Sequence, residues 1–434
     1  MDKMADVLGR AGAWCGQNKY LSAIKNAFQN FMPLTIAGAI GVLWCNVLVN
    51  ESTGLGIFFK PIMALEFLNP AFQAVNFCTI SCITVGITLG IAQEIGVWNM
   101  GAEKAGYIPG LVGLAAWLSV TNTSHMVEGA KEAFTGIAGN ELGATGLFTG
   151  MIIGVLSVEL FCFFEKQDAL KIKMPEQVPP GVARAFEVLV PATITLIITA
   201  CIGSACYNLT GLYLNDVIKN GIQGPLGAVG ATIPGVMIIY LVIMLFWLVG
   251  IHGNNMLSAV KEALFTPLAL ENVEKFNKGE TPKNIINMYA LQMWGEFGGS
   301  GVTIGLVIAI MIFGKREDNK AIATLSLVPG LFNINETVTF GVPMVLNPIL
   351  GIPFVVAPLV TIIIGYVLTV IGFCPVACLT VPWTTPPIVF GFLACGANVM
   401  GAVTQAILIV VSTVIYVPFL ISYEKYQNKQ AAEA

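Results

Sequence analysis

Glu336 is the only charged side chain between Lys320 and Glu424. His252 is the only Asp, Glu, His, Lys or Arg between Lys219 and Lys261, and Glu296 the only one between Lys283 and Lys315. An ionisable group in hydrocarbon costs at least ~2.5–3.5 kcal/mol, so isolated ones are candidates for function. Each sits in a broken, polar setting. Glu336 lies in Val328-Pro-Gly-Leu-Phe-Asn-Ile-Asn-Glu-Thr-Val-Thr-Phe-Gly-Val-Pro343, where Asn333 and Asn335 add amide donors to its carboxylate, a set suited to gripping hydroxyls. His252 ends Phe246-Trp-Leu-Val-Gly-Ile-His252 and is followed by Gly253-Asn254-Asn255. Glu296 is glycine-flanked in Met293-Trp-Gly-Glu-Phe-Gly-Gly299, and Trp383 stands in Val381-Pro-Trp-Thr-Thr-Pro-Pro387, placed to stack on a sugar ring. A carboxylate and an imidazole can accept a hydroxyl proton or fix its position. Plainer readings stand beside these: His252 as a helix-end histidine near the headgroups, Glu296 as an acid bonded to glycine-loop amides, Trp383 as an interfacial aromatic.

The elements that must hold these residues follow from composition. Only 11% of the 434 residues are charged and 56% are apolar, where a soluble domain carries about 25% charge. The net charge is −4, which with this apolar content excludes disorder and a basic nucleic-acid-binding face. The expected fold is an all-α polytopic membrane protein with about ten transmembrane helices, two re-entrant hairpins and amphipathic interfacial helices. Stretches long enough to span occur near 31–50, 73–93, 106–121, 144–164, 186–208, 231–251, 298–314, 352–373 and 400–422, with broken pieces near 322–350 and 376–398. Between Pro329-Gly330 and Gly341/Pro343, about 11 residues at ~1.5 Å each reach only ~16 Å, half the ~30 Å hydrocarbon core. Such a piece survives only inside protein or beside a water-filled cavity, so a hairpin with Glu336 near its tip is expected. Residues 253–298 could form a second hairpin.

Residues 5–31 read as an amphipathic helix leading into the first span, and no signal peptide is expected. The Lys/Arg bias puts both termini and the 164–185 loop in the cytoplasm and the 122–143 loop outside. The domain reading is a cytoplasmic amphipathic segment 1–30, a transmembrane domain 31–209, an interfacial linker helix 210–230, a substrate-binding transport domain 231–424 and a cytoplasmic tail 425–434. Gly146, Gly150 and Gly154 form a small-residue stripe that suits close helix packing, within the chain or in a dimer. The ten cysteines, including the pairs Cys78/Cys82 and Cys374/Cys378, lack metal or redox spacing, so no metal site and no cofactor are expected.

Asn333-Ile-Asn-Glu336 followed by Thr-Val-x-Phe-Gly-x-Pro, with Ile-His-Gly-x-Asn at 251–255, resembles the enzyme IIC permeases of the bacterial phosphoenolpyruvate-dependent sugar phosphotransferase system. The branch is that of lactose, cellobiose and diacetylchitobiose. The resemblance implies a homodimer in the bacterial cell membrane, built by the first half, with the sugar site in the second. It implies alternating access and phosphorylation of the sugar at C6 from a phosphocysteine on a separate IIB protein, itself served by IIA. Glu336 and His252 would be the catalytic pair, and Asn254, Asn255, Glu296, Asn333, Asn335 and Trp383 the substrate ligands. Two other classes stay open: a proton-coupled secondary sugar transporter using Glu336 and His252 as a relay, and, less suited to single acidic residues, a channel.

Overall fold

The computed structural model describes residues 10, 13–14, 17–51, 56, 59–125, 134–175, 177–342 and 344–433. It is 77% helical, and its strands are the short pair Ser124–His125 and Phe134–Thr135. Two compact units result: residues 17–38 and 74–227 in one, residues 39–73 and 228–434 in the other. Residues 39–73 thus pack with the second-half helices, whereas the sequence reading kept them in the 31–209 domain.

The first-half helices are α1 (Lys19–Leu43), α2 (Ile83–Met100), α3 (Ile108–Val120), α4 (Ala144–Glu165), α5 (Pro180–Thr210) and α6 (Leu214–Ile218). Ala116, Trp117 and Val120 of α3 and Ile153 of α4 form a core, with Val85, Leu196 and Leu214 packed on it. Through Leu214, α6 docks on this core, and Thr149 donates to Asn215 at 2.6 Å. The segment read as a surface linker is therefore counted with the first-half unit as far as Gly227. Charges gather where the helices end: Lys19 pairs with Glu159 at 2.5 Å, and buried Glu165 with Lys104 at 2.8 Å and Arg184 at 3.0 Å. On the following connection, the hydrogen bond from Lys171 holds the Asp168 carboxyl below its usual range.

The glycine stripe is spent inside the chain. A Cβ on Gly150 would stand 2.9 Å from Thr84 Cγ2, and one on Gly154 3.1 Å from the Thr88 carbonyl, both on α2. Of the two readings of the stripe, packing within the chain holds: Gly150 and Gly154 form an α2–α4 contact, and Gly146 lies against the Glu141 carbonyl. Gly150→Leu should cost about 1–3 kcal/mol or more, as overpacking does. A lower melting temperature in detergent checks this; unchanged stability with loss of dimer alone would contradict it.

The second-half helices are α7 (Ile233–Leu248), α8 (Ser258–Asn277), α9 (Met288–Gly295), α10 (Ile304–Phe313), α11 (Glu317–Leu331), α12 (Glu336–Gly341), α13 (Gly351–Val370), α14 (Val389–Ala394) and α15 (Val399–Glu433). Among the described residues, five helices are long and apolar enough to cross a membrane, or seven if each of two bent pairs counts as one span. The remaining apolar stretches are short or broken. Ile108–Val120 and Ile233–Leu248 fall below 18 residues, and at ~1.5 Å per residue reach only ~20–24 Å. Met288–Val302 and Ile304–Phe313 meet at 59°, because Gly298, Gly299 and Gly301 take positive φ there.

One local expectation needs correction. The chain does not break at Pro329-Gly330: α11 runs through both to Leu331, and the turn falls at 332–335, with Asn333 at φ +63. Pro343, Glu128, Lys131 and Glu132 lie outside the described residues, as do 5–9, 11–12 and 15–16 of the expected N-terminal helix.

Candidate functional site

α7 ends in a tight reversal. Gly250 takes φ +80, and a Cβ on Gly253 would run into the Ile243 carbonyl, so only glycine fits after the histidine. His252 caps the turn Gly253–Met256: its Nδ1 accepts the Asn255 backbone N–H at 3.2 Å. With Nδ1 accepting, the neutral ring carries its proton on Nε2. The ring packs on Trp247, centroids 4.4 Å apart. Its Nε2 lies 3.7 Å from Glu336 Oε1, with the two side chains 38% and 47% exposed. That spacing is beyond a hydrogen bond. The two groups therefore stand side by side, open to a third.

Glu336 is the first residue of α12, after the turn that Asn333 and Asn335 make. Both asparagines are committed to the protein's own backbone. Asn333 accepts from Gly298 N–H at 2.6 Å and donates to the carbonyls of Trp383, at 2.5 Å, and Thr385, at 3.2 Å. Asn335, buried, donates to the Ser300 carbonyl at 2.7 Å. A Cβ on Gly299 would stand 2.7 Å from Asn335. The glycine loop 298–301 is thus a cradle for the tip that carries Glu336. Both side chains were expected to meet hydroxyls; the amide donors of Asn333 instead join two broken segments.

Glu296 lies inside the unit. Its Oε1 accepts from the Tyr240 hydroxyl at 2.7 Å and from Lys261, and that lysine side chain is 7% exposed. Lys261 also donates to Asn254 Oδ1 at 3.3 Å, and Asn254 donates to Ser300 Oγ at 2.9 Å. Asn255 is exposed beside His252. Trp383 presents an indole 43% exposed. Its segment is held from α15, where buried Gln405 accepts from Ile388 N–H at 2.7 Å and Gly391 N–H at 2.8 Å and donates to Met293 O at 3.2 Å. Ile388 has φ +75, a conformation that branched side chains adopt only when the surroundings impose it.

The structure therefore brings together His252, Glu336, Asn254, Asn333, Asn335 and Glu296, directly or through the 298–301 loop, with Trp383 attached by its backbone. Sequence reasoning missed Lys261, Tyr240, Ser300 and Gln405. Lys261 stands next to Glu262, which reads as a solvated pair. Among the described residues, no group of three or more His, Cys, Asp or Glu is placed to hold a metal ion.

A family model described as "Phosphotransferase system, EIIC" matches residues 25–358. The chain is 32% identical over 429 residues to the oligo-beta-mannoside-specific EIIC component of Bacillus subtilis, covering 98% of this chain and 94% of that one. It is 30% identical to the cellobiose-specific EIIC component of Lactococcus lactis, with 98% of each covered. The crystal structure of ChbC, the IIC component of an N,N'-diacetylchitobiose-specific phosphotransferase system, superposes with a TM-score of 0.88 at 30% identity over 97% of both chains. The class is a helical membrane permease. The chain belongs to the EIIC family of the phosphotransferase system.

Proposed function

We propose that this chain binds a β-linked disaccharide of the cellobiose, diacetylchitobiose or lactose type and carries it across the bacterial membrane. It then presents the sugar's C6 hydroxyl to a phosphorylated IIB protein. One observation carries the reading: Glu336 and His252 stand 3.7 Å apart and half open, in a stretch otherwise free of charge. The names of the relatives, specific for cellobiose, oligo-beta-mannosides and diacetylchitobiose, agree with it. In the step, the C6 oxygen attacks phosphorus and the sulfur–phosphorus bond of the phosphocysteine breaks. Glu336 accepts the hydroxyl proton, and the Nε2–H of His252 holds the nucleophilic oxygen in place. Trp383 offers a face for a sugar ring, Asn254 and Asn255 line the turn beside His252, and Glu296 anchors the floor.

The same proposal includes a homodimer, alternating access, about ten membrane crossings with the 332–335 tip re-entrant, and cytoplasmic termini. Proteoliposomes loaded with phosphorylated IIB protein test the function. Sugar phosphate should appear inside only when that IIB carries its phosphoryl group, and an ionophore should leave its rate within about twofold. Free sugar accumulating in an ionophore-sensitive way would favour the secondary transporter. For topology, a cysteine at Ala130 should react with an impermeant maleimide in intact cells and one at Lys173 should not; the reverse labelling would invert the orientation.

A further inference from the structure

Lys261 is a buried cation that the proposed phosphoryl transfer does not use. It lies on α8, pairs with Glu296 after α9 and donates to Asn254, two residues from His252. Asn254 passes the connection to Ser300 Oγ, and the carbonyl of the same Ser300 accepts from Asn335, which directly precedes Glu336. Tyr240 closes the network from α7 by donating to the carboxylate that Lys261 holds. The chain of contacts therefore begins at an ion pair and ends at both members of the exposed pair.

We infer that Lys261 is a positioning residue, which sets the distance between His252 and Glu336 through Asn254 and Ser300. Physical chemistry requires some anchor of this kind. The His252 turn and the Glu336 turn are both short, irregular and half exposed, and neither contacts the other by a hydrogen bond. Their spacing depends on what holds both: beyond the Leu346 N–H that donates to the Leu248 carbonyl at 2.8 Å, the Ser300 backbone and hydroxyl are the element that both turns share. Lys261 with Glu296 clamps Asn254 so that its amide reaches Ser300 Oγ and no other acceptor. Removing one partner of a buried pair leaves an uncompensated charge, whereas neutralising both does not. The test therefore uses the double change.

The inference rests on the sugar-site reading above, and the experiment separates the two. Lys261→Met/Glu296→Gln, Ser300→Ala, the triple combination and Glu336→Gln are reconstituted with the partner proteins. Initial rates give kcat and KM for the sugar, beside melting temperatures. The double variant should keep KM within about threefold and lose about thirtyfold in kcat, the scale of a misplaced reacting group. Ser300→Ala should lose about tenfold. The triple variant should lose no more than the double, because coupled groups are not additive. Lys261→Arg should recover most of the rate. A double variant with kcat within twofold of wild type, or losses that multiply in the triple, overturns the assignment and leaves the pair a structural brace. Should the double variant fail to fold, Ser300→Ala at wild-type rate overturns it and a tenfold loss supports it. Wild-type turnover in Glu336→Gln removes the site itself, whatever Lys261 does.

Discussion

Glu336→Gln is expected to fold and to bind sugar within about tenfold of the unaltered protein, roughly 1.4 kcal/mol, while phosphorylation falls by about 10²–10⁴. Glutamine keeps the size of the side chain and one carbonyl oxygen, so ligands that donate to Glu336 retain an acceptor. What it loses is proton acceptance. The carboxylate is half exposed and makes no hydrogen bond with His252 at 3.7 Å, so little of the fold depends on its charge. Removing the charge leaves Asn333 and Asn335 untouched, because both bond to backbone groups. Equilibrium binding of radiolabelled cellobiose and diacetylchitobiose, run beside phosphorylation by the reconstituted partners, reads the two effects separately. Near-normal turnover would take the base role away from Glu336. Parallel loss of binding and turnover would make Glu336 first a sugar ligand.

The second large effect belongs to Asn333→Asp. The replacement has the same shape, tolerates the positive φ and still accepts from Gly298 N–H. It cannot donate, and so it sets a carboxylate against the carbonyls of Trp383 and Thr385. Leaving such groups unmade costs about 1–3 kcal/mol each, more when one is charged. The Trp383 segment should come away from the tip, with sugar affinity reduced about 100-fold, equivalent to ~2.7 kcal/mol, and a smaller loss of turnover at saturating sugar. Hydrogen exchange should rise at residues 383–388. Wild-type affinity in this variant would mean that the Trp383 segment is held without Asn333.

Much of the site was legible before folding, and its wiring was not. Glu336, His252 and Glu296 were found because a lone charge among apolar residues is a property of the local sequence. Trp383 and the two asparagines were found because proline and glycine cluster near broken backbone, although beside the asparagines the helix runs through Pro329-Gly330 and turns only at 332–335. Their partners were hidden for a common reason. Backbone groups freed at a break, deep in an apolar protein, need a donor or acceptor from somewhere. Sequence cannot say that the donor for Trp383 O is Asn333, fifty positions away. Nor could it show that Lys261, beside Glu262 in a helix with no strong apolar stripe, turns inward to Glu296. The glycine stripe shows the same limit: it announces a close neighbour, and only the fold reveals that Gly150 and Gly154 meet α2 of the same chain while Gly146 meets the Glu141 carbonyl.

By itself, then, the sequence determined that this is a helical membrane protein and which few side chains could carry chemistry. Hydropathy and isolated charge are sums over neighbours along the chain. The tertiary structure alone decided that His252 stands beside Glu336, that the asparagines brace the tip instead of standing free, and that Lys261 of α8 meets Glu296 and Asn254. Those contacts depend on how broken helices satisfy one another's backbone at long range, where many pairings suit the same composition and only the packed fold selects one.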